Sequence, residues 1–139
     1  MSQVVYSDPG ILKYNQDNFF IYKNLNDESN VLFIGICDWH GLVGHDVSKY
    51  LIENLPKNLY ISLKKTNKYI SHKKTLYSKL KQVFIATNNS LFKVPTIDTK
   101  FSGSSYVTII LTKNKIISTY ADDSRAVMGR HINNKWLSI

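Results

Sequence analysis

The sequence predicts an α+β domain in which an antiparallel sheet packs under helices. Three observations lead there: short apolar runs rich in aromatic and β-branched residues lie towards both ends of the chain, two stretches of helical periodicity separate them, and no internal repeat is present. At 139 residues the chain is long enough to bury one core and too short for two, so a single domain over 1–139 is expected.

The first strand is expected at Asn18 to Lys23, closed by the polar cluster Asn24 to Asn30. Val31 to Cys37 reads as a strand buried on both faces, which places Asp38 at a strand end. Gly41 and Gly44 permit a tight loop. Val47, Tyr50, Leu51 and Leu55 then recur at helical spacing, so a helix is expected from about His45 until Pro56 stops it. Leu59 to Ser71 is lysine-rich and weakly periodic. From Thr75 onward Leu76, Leu80, Val83, Phe84 and Leu91 share one face of a second amphipathic helix. Beyond Pro95, strands are expected at Tyr106 to Leu111, Lys115 to Tyr120 and Arg125 to Met128, a turn at Gly129 to Asn134, and a last strand from Lys135 to Ile139 with no later partner.

The formal charge of +8 is carried mostly by lysine, concentrated between Lys57 and Lys81; this suits an acidic partner, and equally a composition rich in Lys, Asn, Ile and Tyr throughout that involves no anionic ligand. Nucleic acid is not expected as a ligand, since arginine occurs only at Arg125 and Arg130 and no recognition module is present. No apolar run approaches the ~18–20 residues of a membrane span, and Met1 to Gly10 has no basic segment leading into an apolar one. The expected location is intracellular, cytoplasmic or cytoskeletal, without secretion. Cys37, the single cysteine, lies in an apolar run and is expected in the core.

Four separated segments carry a resemblance: Tyr14-Asn15-Gln16-Asp17, Asp38-Trp39-His40-Gly41, Phe101-Ser102-Gly103-Ser104-Ser105 and Asp122-Asp123-Ser124-Arg125-Ala126. Their order and spacing resemble the metal-dependent protein serine/threonine phosphatases of type 2C, whose motifs run Glu/Gln-Asp, Asp-Gly-His-Gly, Ser-Gly-Ser/Thr and Gly-Asp-Ser-Arg-Ala. The resemblance implies a sandwich of two antiparallel sheets flanked by helices, of which this chain matches the N-terminal half. It also implies paired magnesium or manganese ions, hard cations that take oxygen ligands and keep several waters. On that resemblance Asp38 would bridge the metals, the Trp39 backbone carbonyl would ligate one of them, Asp17 and Gln16 would fill the acidic position before the first strand, and His40 would be the general acid.

The chain departs from this pattern in several places. Gln16 stands where many relatives have Glu, and Leu12 stands where they have the phosphate-binding Arg, with Lys13 the nearest cation. Trp39 replaces a glycine and is expected to strain the backbone or block the site mouth. Asp122 also replaces a glycine, in a motif read as holding the fold. Relatives continue for about another hundred residues, which carry two further metal-binding aspartates. Metal binding is therefore expected to be weak or absent. The expected role is that of a pseudophosphatase serving as a structural or docking subunit of a larger protein assembly, against an acidic surface such as a filament. The alternative is an active magnesium- or manganese-dependent phosphatase completed by further sequence or another chain.

Overall fold

A computed structural model describes residues 17–64 and 73–138. Its elements run β1 (Asn18–Lys23), a 3-10 turn (Leu25–Asp27), β2 (Leu32–His40), α1 (Gly44–Lys64), α2 (Lys73–Leu91), β3 (Gly103–Leu111), β4 (Ile116–Ala121), β5 (Gly129–Ile132) and β6 (Lys135–Ser138). The architecture is α+β. Four strands form an antiparallel sheet in the order β1-β2-β3-β4, and β5 and β6 form a second, two-stranded antiparallel sheet.

Both helices cover one face of the larger sheet. Side chains alternate across a strand, and on β2 the buried set is Phe33, Gly35, Cys37 and Trp39. Phe33 meets Leu55, Leu59 and Leu63 from α1, Leu76, Leu80 and Val83 from α2, and Ile110 and Ile117 from the neighbouring strands in one core. Cys37 joins Val47, Leu51 and Leu91 in a second cluster towards the other end. Among the described residues no helix covers the opposite face, and the register sets Phe19, Ile36, Val107 and Tyr120 in a row there across all four strands. Three of them are well exposed: Phe19 at 48%, Ile36 at 48% and Tyr120 at 67%.

Several boundaries differ from expectation. β2 continues three residues past Cys37, so Asp38 lies within the strand rather than at its end. Glycine and serine are poor strand formers, yet Gly103, Ser104 and Ser105 extend β3 and pair with His40, Trp39 and Asp38. Pro56 does not stop α1, which runs on to Lys64. Proline inside a helix costs about 3 kcal/mol and here removes the N–H that would reach the Ile52 carbonyl. Continuing the helix buries Leu59 and Leu63 almost completely, and at about 1.5–3 kcal/mol for each such side chain that gain offsets the loss. The weakly periodic stretch therefore begins as helix.

At the other end Arg125 to Met128 lies outside both sheets, and the expected turn at Gly129 to Asn134 is largely β5. The turn itself is the pair Asn133-Asn134, both at positive φ (50° and 60°), the conformation a two-residue hairpin requires and asparagine tolerates. β6 accordingly has a partner, with Arg130 opposite Leu137 and His131 opposite Trp136. The hairpin is exposed throughout, Trp136 at 74%. Among the described residues no helix is long and apolar enough to cross a membrane.

Candidate functional site

Among the described residues of the four sequence segments, Asp17, Asp38, Ser105 and Asp123 come together at one end of the larger sheet. Asn18 on β1 pairs with Cys37 on β2, and one further step along this register sets Asp17 beside Asp38. Asp38 and His40 alternate with Cys37 and Trp39, so they project from the face without helices. The sequence segments are thus brought together by antiparallel pairing. Gln16 and Leu12 lie outside the described residues.

The Asp38 carboxyl is held above its ordinary range. Loss of part of its water shell is the largest cause, followed by the charge of Asp17 and a hydrogen bond between the two carboxyls, then the charge of Asp123; His40 acts in the opposite direction. Asp123 is therefore electrically part of this cluster, although its motif reads as structural in sequence. The β-register that returns the chain from β3 to β4 is what brings it near, and no spacing within the motif reveals that. Behind the carboxylate, the Ser105 hydroxyl donates to the Asp38 carbonyl at 3.2 Å. Ser105 Oγ also lies 2.5 Å from Ser124 Oγ. With the Ser105 proton directed at Asp38, the Ser124 hydroxyl donates, and the Asp122 to Ser124 turn is anchored to the site.

Trp39 does neither of the two things expected of it. Its φ is not positive, and its indole is buried to 6% exposure on the helical side of the sheet, away from Asp38. The ring fits because α1 begins with Gly44: a Cβ there would fall on Trp39 ring carbons Cε3, Cζ3 and Cδ2, far inside the 3.0 Å that real Cβ atoms keep. Gly41 is the residue that needs left-handed freedom. Its φ is +98°, and a side chain would overlap the Phe101 carbonyl and Ser102, whose Oγ accepts the Val43 N–H at 3.3 Å. At Asp122, the other glycine replacement, the backbone is left-handed with φ 72°, a conformation aspartate tolerates better than most residues.

The sequence of residues 6–138 matches the family described as protein phosphatase 2C. The chain belongs to that family. Curated relatives include probable protein phosphatase 2C 65 of Arabidopsis thaliana, 22% identical, with 90% of this chain and 36% of the relative covered. Probable protein phosphatase 2C 35 of the same plant is 29% identical over 91% of this chain and 34% of its own length. Probable protein phosphatase 2C 64 of Oryza sativa subsp. japonica is 26% identical over 90% of this chain and 29% of its own length. The chain thus spans about a third of the length of these relatives.

The family is generally metal-dependent, and the donor chemistry here can be compared with that need. Among the described residues no group of three or more His, Cys, Asp or Glu is placed to hold a metal ion. Asp17 and Asp38 do meet, and the charge of Asp17 disfavours ionisation of Asp38.

Proposed function

We propose that this protein phosphatase 2C-type chain is catalytically degenerate and serves as a structural or docking subunit. The observation that carries the reading is Leu12, an aliphatic side chain where the resemblance puts the phosphate-binding arginine. Leucine cannot make the paired charge-assisted hydrogen bonds that guanidinium makes to phosphate. Gln16 in place of Glu weakens the site further, because affinity for hard cations follows the number and charge of oxygen ligands. Asp17 and Asp38 would hold magnesium or manganese weakly, with the Trp39 carbonyl as a further oxygen. A bound ion of this kind supplies charge neutralisation at phosphate and a more acidic water. The apolar row Phe19, Ile36 and Tyr120 on the helix-free face supports a docking role, as does the lysine-rich helical pair.

A second reading, that of an active serine/threonine phosphatase completed by other sequence or another chain, is favoured by one observation. Asp17, Asp38 and His40 share one end of the sheet, and Trp39 leaves their face clear. The two readings separate in a phosphopeptide hydrolysis assay with manganese, run on the protein isolated together with whatever further sequence or chains it is joined to, and on the same preparation carrying Leu12→Arg. Turnover by the unaltered chain supports the second reading and overturns the first. No turnover by the unaltered chain, together with tighter retention of inorganic phosphate by Leu12→Arg, is the result the degenerate reading expects.

A further inference from the structure

From the docking reading above and the outer face of α2, we infer that this face binds an acidic, amphipathic protein segment. Between Glu53 and Asp98 the chain contains no aspartate or glutamate, so α2 is purely cationic. Its inner face is spent on the core through Leu76, Leu80, Val83 and Leu91. On the outer face Lys74 and Lys81 are exposed and seven residues apart, and Ile85 (51% exposed) and Phe92 (59% exposed) repeat that interval just beyond them. At 3.6 residues per turn Lys74, Lys81 and Ile85 fall in one stripe along the helix axis, with Tyr77, 39% exposed, at its margin; Phe92, one residue past the end of α2, continues the stripe because its N–H still reaches the Asn88 carbonyl. One end of the stripe is basic and the other apolar.

Two features fix the chemistry of the occupant. The lysines have no acid on their own helix to pair with, and the nearest acids in sequence lie well before and after it, so a carboxylate-bearing surface complements them. Ser78, Gln82 and Asn89 are interspersed along the same exposed side. Their hydroxyl and amide groups would lose hydrogen bonds if sunk among acyl chains, whereas a polypeptide supplies donors and acceptors to replace water. A helix carrying glutamates at one end and leucines at the other, laid along α2, satisfies both halves of the stripe.

The test uses a fluorescent synthetic helix with glutamates over its first two turns and leucines at i, i+3 and i+4 spacing over its last two, titrated with the whole chain. Saturable binding is expected, with affinity falling about tenfold or more in Lys74→Glu/Lys81→Glu and several-fold in Ile85→Ser/Phe92→Ser. These four positions are exposed, and circular dichroism should show the fold unchanged. Four results overturn the inference: no saturable binding, equal binding by the variants, equal binding of a scrambled peptide of the same composition, or lysine-dependent binding to phosphatidylserine vesicles in place of the peptide. None of them bears on the degenerate reading, which stands or falls with manganese-dependent turnover.

Discussion

Trp39 and Gly44 should behave as one packing unit, and a double-mutant cycle measures it. In Gly44→Ala the new methyl group and the indole cannot share the space, so either Trp39 leaves its site or the start of α1 lifts away from β2. Expelling a buried tryptophan forfeits much of the ~3–5 kcal/mol lost when such a ring is deleted. Alanine returns up to about 1 kcal/mol through better helix propensity. The expected cost of Gly44→Ala alone is therefore about 2–4 kcal/mol. Trp39→Gly alone should cost about 4–5 kcal/mol, including the weaker strand preference of glycine. In the double variant the methyl group introduced at position 44 occupies room the ring has vacated, so the overlap disappears. The double variant should then be more stable than the sum of the single effects by about 2 kcal/mol, within the range seen for residues in contact. Urea unfolding followed by far-ultraviolet circular dichroism gives the three values without depending on the tryptophan removed. Additivity to within about 0.5 kcal/mol would refute the packing argument.

Asp122→Gly should stabilise the chain by about 0.5–1 kcal/mol, because glycine adopts φ 72° without the strain an L side chain meets there; Asp122→Val should destabilise it, and thermal unfolding of both variants checks the pair. Cys37 is 1% exposed, and burial pushes its thiol up to about 12, so native protein should resist a disulfide reagent at pH 8 and react fully once unfolded in guanidinium. Its raised pKa favours the protonated folded form, so this contribution to stability is complete below the unfolded thiol's pKa and fades as pH rises towards the folded value; a denaturation series from pH 7 to 10 should show the decline, absent in Cys37→Ala. Asp17→Asn should return the Asp38 carboxyl towards its ordinary value in metal-free buffer, read by the pH titration of its carboxyl carbon resonance. Since the repulsion exists only when Asp38 is charged, Asp17→Asn should raise the melting temperature at pH 7 and lose that advantage as pH falls through the raised Asp38 value towards the ordinary 3.8.

Much of the fold was legible because the residues responsible act locally. Leu76, Leu80, Val83 and Leu91 repeat at helical intervals, and Asn18 to Lys23 is rich in β-formers, so α2 and β1 stand where expected. The misplaced boundaries are those decided by partners distant in sequence. Pro56 stays helical because Leu59 and Leu63 find the core, and Gly103 to Ser105 form strand because β2 offers them a ladder. The same division holds for the candidate site. Asp38 and Asp17 stand out by motif, but their contact comes from the β1–β2 register, and the charge of Asp123 reaches them through the return from β3. Trp39 was legible as a departure from the family pattern, while its consequence was not: strand alternation sends the ring to the helical side, and Gly44 makes room for it.

The order β1-β2-β3-β4 has a kinetic consequence. β1 with β2 and β3 with β4 are hairpins joined by short connections, each able to zip within microseconds. The central seam between β2 and β3 joins them across the entire helical pair, about sixty residues, and closing a flexible loop of that length has an entropic cost on the order of 3–4 kcal/mol. If the two helices form first they shorten the effective loop, because their antiparallel packing returns the chain close to where it left the sheet. Stabilising α1 against α2 should then accelerate folding. Weakening the β2–β3 ladder near Asp38 and Ser105, which closes late on this route, should instead speed unfolding and leave the folding rate almost untouched.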